Sequence, residues 1–254
     1  MKIALTGNPN SGKTTLFNAI TGRIEKVGNW SGVTIEKKEG KIKENLYKNK
    51  EIIGIDLPGA YSMSPFTNEE TITRDFVKNE NPDVIVNIVD ATNLSRSLFF
   101  TTQLLELGIP VVVALNKYDL TIKNNIEIDI KKLEKELGCP VVKTIATKNK
   151  DNGLKKLIKR TVDVQDNNQK QVINFKSTDL SNKEKAKEID KKRFNFVKSL
   201  VSKVEIRKEN SKKLQKSVDN IVANKILGLP IFGVIMWAVF AISQTYVGPL
   251  LADT

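Results

Sequence analysis

Short apolar runs alternate with stretches of helical periodicity through the first 165 residues. Continuous apolar runs of this length predict strands that are buried on both faces of a sheet. These runs are Lys2–Gly7, Asp83–Asp90, Pro110–Lys117 and Pro140–Ala146. Residues 36–57 instead predict a hairpin that turns at Tyr47–Lys50.

Apolar residues at helical spacing fill the intervals between these strands. The predicted helices are one that ends near Ile20 and those at Leu94–Leu107, Ile126–Leu137 and Gly153–Val162. Strands joined by crossover helices predict an α/β fold with a mostly parallel sheet. Folds of this class bind ligands at the carboxyl ends of their strands.

The pattern changes after residue 165. Residues 166–225 begin as a polar linker and continue with two amphipathic helical runs, Phe194–Val204 and Leu214–Val222. They predict a small basic helical domain whose apolar stripe is its core. No charged residue lies between Ile226 and Ala252, and about 20 apolar residues suffice to cross a bilayer. A buried helical hairpin is the alternative for this segment. The predicted parts of the chain are therefore an α/β domain at residues 1–165, a basic helical domain at 166–225 and the start of a membrane segment at 226–254.

Positive charge is concentrated ahead of the apolar segment. The formal net charge is +12, and residues 166–225 hold 16 lysines and arginines against 8 acidic residues. This excess indicates nucleic acid, an anionic membrane surface or a solvated helical face, and composition leaves all three open. Cys139 is the only cysteine and histidine is absent, which excludes an intrachain disulfide and a Cys/His metal site. We expect a reducing compartment and no signal peptide, with a cytoplasmic amino-terminal part.

A phosphate-binding loop follows the first strand. The residues GNPNSGKT match the pattern G-x-x-x-x-G-K-[ST] between a strand and a helix, a context that an ordinary glycine turn does not explain. Its backbone N–H groups and the helix amino terminus form a nest for phosphate oxygens. Lys13 is expected to reach the β- and γ-phosphates, and Thr14 to offer its hydroxyl to Mg²⁺. The predicted nucleotide-binding residues here are Gly7, Asn8, Asn10, Ser11, Gly12, Lys13, Thr14 and Thr15.

Two further motifs follow at the ends of later strands. In DLPG, Asp56 can hold Mg²⁺ through water and the Gly59 N–H can sense the γ-phosphate, although this tetrapeptide alone is also ordinary turn chemistry. In NKYD, the Asp119 carboxylate can accept hydrogen bonds from N1–H and the exocyclic amine of guanine. Adenine lacks both donors, so the motif favours GTP over ATP.

The remaining base-binding residues flank Asp119 in the predicted site. Asn116 is expected to tie its loop to the P-loop, and the Lys117 stem to cover the face of the base. The sequence TIAT resembles a fifth, weaker loop, to which Thr144 belongs and in which the Ala146 N–H would meet guanine O6.

These motifs, in this order, resemble a translation-factor-type small GTPase of the Ras-like P-loop class. Within that class, GNWSGVTIEKKEG and DLPGAYSMSPFTNEE resemble the G domain of the ferrous iron transporter B (FeoB) family, and LGLPIFGVIMWAVF resembles its entry into the first transmembrane helix. The resemblance implies a cytoplasmic GTPase domain, a helical domain similar to a guanine-dissociation inhibitor, and a polytopic membrane domain.

The resemblance also implies roles for single residues. Thr34 matches the switch I threonine that binds Mg²⁺ with GTP. Asn10 matches an asparagine that holds K⁺ beside the phosphates in potassium-activated relatives, with a turn residue as the alternative. Ala60 stands where Ras-like enzymes have a water-orienting glutamine, so we expect slow intrinsic hydrolysis. Trp30 is expected to pack on the protein in one nucleotide state or to anchor its loop. Glu69 and Glu70 are expected to form a solvated helix start.

The sequence therefore predicts the GTP-binding and slowly GTP-hydrolysing regulatory portion of a membrane Fe²⁺ transporter. The implied cofactors are GTP/GDP, Mg²⁺ and K⁺. The implied partners are the cell membrane, the remainder of an iron transporter and a second copy of the chain in a homo-oligomer, with no nucleic acid. An RNA- or ribosome-associated GTPase is the main alternative, because the basic helices could grip phosphate. A nucleotide sensor that is only tethered to a membrane is a third possibility.

Overall fold

A seven-stranded sheet forms the core of the amino-terminal part of the chain in a computed structural model. The structure describes residues 1–30, 35–63, 67–148, 150, 152–165, 169, 172–175, 183–207 and 228–243. The strands are β1 Lys2–Gly7, β2 Thr21–Asn29, β3 Glu36–Ile42, β4 Ile53–Asp56, β5 Val84–Asp90, β6 Val111–Asn116, β7 Ile126–Ile128, β8 Val141–Lys143 and β9 Glu205–Arg207. The α-helices are α1 Lys13–Ile20, α2 Asn68–Glu80, α3 Leu94–Leu104, α4 Tyr118–Lys123, α5 Ile130–Leu137, α6 Leu154–Gln165, α7 Lys183–Val204 and α8 Gly228–Ile242.

The sheet order is β2-β3-β4-β1-β5-β6-β8. Strands β4, β1, β5, β6 and β8 are parallel neighbours, whereas β2, β3 and β4 pair antiparallel. The predicted mostly parallel sheet and the hairpin at residues 36–57 are therefore confirmed. The parallel order brings the carboxyl ends of β1, β4, β6 and β8 to one edge, where each is followed by a predicted motif.

Residues 126–137 do not form the single predicted helix. Residues Ile126–Ile128 pair antiparallel with Glu205–Arg207 as a separate two-stranded sheet, β7-β9. The Asp129 side chain then accepts from the Lys132 N–H and caps α5. This cap starts the helix after the strand, which the apolar spacing alone did not indicate.

Apolar side chains fill both faces of the sheet, as expected for strands whose residues are buried on either side. One cluster contains Phe100, Leu133 and side chains of α7, and the other contains Phe17 and side chains of α6. Strands β5 and β6 are buried almost throughout, so their apolar runs reflect two packed faces.

Helix α7 packs against α3 through a buried arginine. The Arg193 guanidinium donates to Thr102 Oγ1 at 3.1 Å and to Glu106 Oε2 at 2.7 Å, and it lies 4.9 Å from the centre of the Phe175 ring. Its side chain is 5% exposed. A charge so deeply buried requires such partners, so this contact fixes where α7 lies.

The chain divides into two compact units, Met1–Arg207 and Lys208–Thr254. In the second unit, α8 has 15 residues and most of its described large apolar side chains are exposed. Among the described residues, no helix combines the length and hydropathy needed to cross a bilayer. The predicted run Leu214–Val222 lies outside the described residues. The predicted boundaries at residues 165 and 225 stay predictions.

Candidate nucleotide-binding site

The loop between β1 and α1 has the backbone that a phosphate nest requires. Gly12 has φ +89°, and a Cβ there would lie 2.4 Å from Asn116 Nδ2, so both conformation and space demand glycine. Asn10 also adopts a left-handed conformation, with φ 64°. The loop borders a cavity of about 650 Å³. The residues lining this cavity are Asn8, Pro9, Asn10, Gly12, Lys13, Thr14, Thr15, Gly59, Glu69 and Lys117.

Lys13 and Asp56 form an ion pair between α1 and the end of β4. Burial raises the pKa of Asp56 above its ordinary value, and the positive charges of Lys13 and Lys38 oppose this rise. Lys38 stands opposite Asp56 in the β3-β4 register. The carboxylate therefore lies in a desolvated position next to the P-loop lysine.

The end of the DLPG motif lies against the P-loop. A Cβ on Gly59 would be 3.3 Å from Pro9, and the Ala60 N–H donates to the Gly7 carbonyl at 3.1 Å. The Ala60 side chain is buried. Its methyl group packs into the protein and has no polar atom with which to orient water.

Asn116 joins three loops, which agrees with its predicted tie to the P-loop. Its Nδ2 donates to the Ser11 carbonyl at 3.0 Å. Its Oδ1 accepts from the Ala146 N–H at 3.2 Å and from Thr144 Oγ1 at 3.4 Å. The Ala146 N–H, predicted to meet guanine O6, thus donates to Asn116 in this structure.

Lys117 connects the NKYD loop, which is the predicted base-binding loop, to two neighbours. Its Nζ donates to the Asn10 carbonyl at 2.6 Å and to Asp90 Oδ2 at 2.7 Å. Asp90 also accepts from the backbone and side chain of Thr92. Burial alone would raise the pKa of Asp90, but the hydrogen bonds from Lys117 and Thr92 bring it below its ordinary value. Asp90 was predicted only as the end of a strand, because no motif marks it.

The structure places the other predicted residues as follows. Asp119 lies in the first turn of α4, directly after Lys117 and Tyr118. Ser11 Oγ is buried without a hydrogen-bond partner among the described atoms. Thr34 lies outside the described residues. Asp56, Asn116, Asp119, Thr144 and Ala146 do not themselves line the cavity, although Asn116 and Lys117 join their loops to it.

The helix after the DLPG loop corrects one prediction. The Thr67 side chain accepts from the Glu70 N–H at 3.2 Å and caps α2. Glu70 is buried, so it is not the solvated residue that was predicted, whereas Glu69 is half-buried and lines the cavity. Trp30 lies edge-on to Phe76 of α2 at 5.4 Å, a contact that both of its predicted roles allow.

The residues present fit a magnesium ion. Thr14 and Asp56 offer hydroxyl and carboxylate oxygens, which Mg²⁺ prefers, and Asp56 is paired with Lys13, the neighbour of Thr14. Mg²⁺ in nucleotide sites takes few protein ligands and completes its shell with phosphate and water. In the described parts of the chain, no group of three or more Asp, Glu, Cys or His side chains is arranged to hold a metal.

A sequence profile described as Ferrous iron transport protein B matches residues 1–162. The chain belongs to this family, FeoB. The Fe(2+) transporter FeoB of Staphylococcus aureus (strain MSSA476) is 32% identical over 98% of this chain and 46% of its own length. The Escherichia coli (strain K12) FeoB is 46% identical over 59% of this chain and 20% of its own length. This FeoB chain therefore spans at most about half the length of these curated relatives.

Solved FeoB structures share its fold. The cytosolic domain of the T. maritima FeoB iron transporter in its GMPPNP form has a TM-score of 0.74 at 29% identity, covering 81% of this chain and 99% of its own. A GDP-bound point mutant of the S. thermophilus FeoB G-domain has a TM-score of 0.68 at 33% identity, covering 81% of this chain and 100% of its own. The chain thus carries the P-loop GTPase domain of the FeoB family, and the RNA-associated alternative is not favoured.

Proposed function

We propose that this chain binds Mg²⁺ with GTP, hydrolyses GTP slowly to GDP and phosphate, and regulates a membrane Fe²⁺ transporter. One observation carries the proposal. Asn116 and Lys117 each donate to a carbonyl of the P-loop, which brings the base-binding loop and the phosphate-binding loop into one site. Relatives described as GDP-bound and in a GMPPNP form support a guanine nucleotide as its ligand.

Each predicted residue has a distinct task in this proposal. Lys13 binds the β- and γ-phosphates, Thr14, Thr34 and Asp56 hold the metal, and the Gly59 N–H contacts the γ-phosphate. Bound Mg²⁺ would neutralise charge that develops on the phosphates. Asp119 selects guanine. Because Lys13 is paired with Asp56 here, its ammonium group must turn from the carboxylate to the phosphates when nucleotide binds.

The proposed rate is slow because Ala60 offers no water-orienting side chain. Its N–H is bonded to Gly7 and its methyl group is buried, so neither group positions a nucleophile. A K⁺ ion held by the Asn10 side chain, which borders the cavity, would supply positive charge beside the phosphates. The Asn10 carbonyl already accepts from Lys117, which fixes the loop and leaves the amide side chain for this task.

The proposed regulation acts through α3. The Met63 N–H, which follows the DLPG loop, donates to Gln103 Oε1 at 2.9 Å. The neighbouring side chains Thr102 and Glu106 bind Arg193 of α7. A conformational change after the DLPG loop would therefore reach the end of α3, where neighbouring side chains hold α7. We place the amino-terminal domains in the cytoplasm and the segment after residue 225 in the cell membrane.

Asp119→Asn tests the choice of base. An asparagine amide cannot accept both hydrogen bonds from guanine, so we expect GTP and GDP affinity to fall about 100-fold and xanthine nucleotide affinity to rise. Calorimetric titration of each nucleotide measures this. Asp129→Asn is the matched control, since asparagine caps a helix as well as aspartate does. Unchanged GTP affinity in Asp119→Asn would refute the assignment.

A further inference from the structure

A second groove, of about 720 Å³, lies beside the edge strand β8. It is formed by β7, β9, α5, β8 and α6, and it shares no lining residue with the nucleotide cavity. None of the predicted site residues lines it. The lining residues used below are Lys131, Glu134, Lys143, Lys156, Arg160 and Ile206.

Four cationic side chains from three elements converge on this groove. Lys131 comes from α5 and Lys143 from β8, while Lys156 and Arg160 lie one turn apart on α6. The Lys143 ammonium group lies 4.2 Å from the centre of the Tyr118 ring, so its position is supported by an aromatic face. Cations that come from separate elements are held apart by the fold, and an anion between them would relieve their repulsion.

Acidic side chains also line the groove, but they are fewer than the cationic ones, and two of them have partners within the protein. Three acidic residues line it, Glu127, Asp129 and Glu134. Glu134 pairs with Arg160 at 3.5 Å, and the Asp129 carboxylate caps α5. The lining of the groove therefore holds four cationic side chains against three acidic ones. Because Arg160 is already paired with Glu134, the attraction for an anion comes from Lys131, Lys143 and Lys156, whose ammonium groups act as point charges toward phosphate oxygens.

Exposed apolar side chains accompany these cations. Ile206 of β9 lines the groove and is 57% exposed. Ile122 does not line the groove, but it is 64% exposed and belongs to α4, a helix that contacts β7. Exposed aliphatic residues beside lysine and arginine are typical of surfaces that lie on a membrane. There the cationic groups contact lipid phosphates and the aliphatic groups contact acyl chains.

We propose that this groove and its basic rim bind the phosphate groups of anionic phospholipids and hold the G domain against the membrane. The continuity of the chain favours lipid: β9, which lines the groove, ends at Arg207, and the same chain reaches the apolar helix α8 at Gly228. Nucleic acid offers similar phosphates, but single strands are held mainly by aromatic side chains that stack on bases, and the exposed apolar residue of this groove is the aliphatic Ile206. The inference rests on the proposed membrane location.

Lysine acetylation footprinting of the full chain tests this. The chain is mixed with vesicles of phosphatidylcholine alone or with added phosphatidylglycerol, and each lysine is read by mass spectrometry. We expect Lys131, Lys143 and Lys156 to react about tenfold more slowly with phosphatidylglycerol present, and this protection to vanish at high salt. Lys155 and Lys159 line a different groove on α6 and serve as internal controls that keep their reactivity.

Two charge-reversed variants sharpen the test. Lys143→Glu with Lys156→Glu should weaken docking by at least about 30-fold, read as loss of protection at Lys131, because each surface lysine contributes about fivefold at an anionic membrane and the new carboxylates add repulsion. Lys155→Glu with Lys159→Glu changes the net charge equally and should leave Lys131 protected. Equal effects of the two variants would overturn the proposal, since they would show that anionic vesicles attract the net charge of the protein and do not bind at this groove.

The remaining outcomes separate this inference from the proposed function. If the chain binds both kinds of vesicle and the groove lysines react equally, the groove proposal is wrong and the membrane location stands. If the chain binds neither, both are wrong. Protection by inorganic phosphate or by RNA without lipid would overturn the lipid assignment in favour of a soluble anion or a nucleic acid.

Discussion

Lys117 donates both to Asp90 and to the Asn10 carbonyl, so one side chain spans two loops of the site. The motif NKYD predicted Lys117 as a cover for the base, and its further role as a tie became visible only in three dimensions. The role of Asp90 as the partner of Lys117 could not be predicted. It depends on the register of β5 against β6, which places Asp90 opposite Asn116, the residue before Lys117.

Asp90→Asn tests this tie. The folded pKa of Asp90 lies below its ordinary value, so the ionised carboxylate stabilises the fold above about pH 3.9 and the contribution is lost as the pH falls through the lower folded pKa. We expect the free energy of unfolding to drop by about 1–2 kcal/mol at pH 7 and the difference to shrink below about pH 4. Urea denaturation at several pH values measures it.

The control for Asp90 is Asp75→Asn. The Asp75 side chain is 49% exposed and pairs with its neighbour Arg74, so this change should cost less than about 0.5 kcal/mol. A loss for Asp90→Asn that is equally large at pH 7 and pH 3 would show that the shape of the side chain matters and its charge does not.

At the scale of elements, the loop from β8 to α6 depends on a glycine. Gly153 has φ +75°, and a Cβ there would lie 2.0 Å from the Lys143 carbonyl oxygen. The loop between them carries Thr144 and Ala146, which bond Asn116. The backbone of α6 must therefore approach β8 closely for the base-binding loop to keep its shape.

Gly153→Ala should destabilise the fold by about 3 kcal/mol or more and weaken GDP binding, because the methyl group meets backbone that cannot yield. Gly108→Ala is the matched control. Gly108 has φ +77° with no atom within 4 Å of a Cβ, so it should cost about 1–2 kcal/mol and leave GDP affinity unchanged. Equal losses in the two variants would mean that backbone conformation alone explains the effect at Gly153.

The central strands and the helices after them could be predicted, because apolar runs report burial on both faces. Strand β2 was not predicted, and of helix α2 only the start at Glu69 and Glu70 was predicted. The mean hydropathy of α2 is low, and its start depends on the Thr67 cap. The β7-β9 pair depends on residues about 80 positions apart, which no local pattern reports. The sequence predicted the order of the motifs and the sheet edge at which they meet. It did not predict the hydrogen bond between Lys117 and Asp90 or the contact between Met63 and Gln103 of α3.

At the scale of the whole molecule, a buried charge joins α7 to α3. Arg193→Met should lower the free energy of unfolding by about 3–5 kcal/mol, because Glu106 loses its cation in a largely buried position. Adding Glu106→Gln should recover part of that loss. Arg207→Met, at an exposed arginine, should change stability by less than about 0.5 kcal/mol. Thermal or urea unfolding measures all three, and a neutral Arg193→Met would contradict the anchoring role.

The whole account depends on a single guanine nucleotide bound between the P-loop and the loop that carries Asp119. Calorimetric titration of the protein with GTP, GDP and ATP in Mg²⁺, first with K⁺ and then with Na⁺, tests this most directly. We predict tight binding of GTP and GDP, at least about 100-fold weaker binding of ATP, and faster GTP turnover in K⁺ than in Na⁺. Equal or tighter binding of ATP, or no binding of any of the three, would contradict the account.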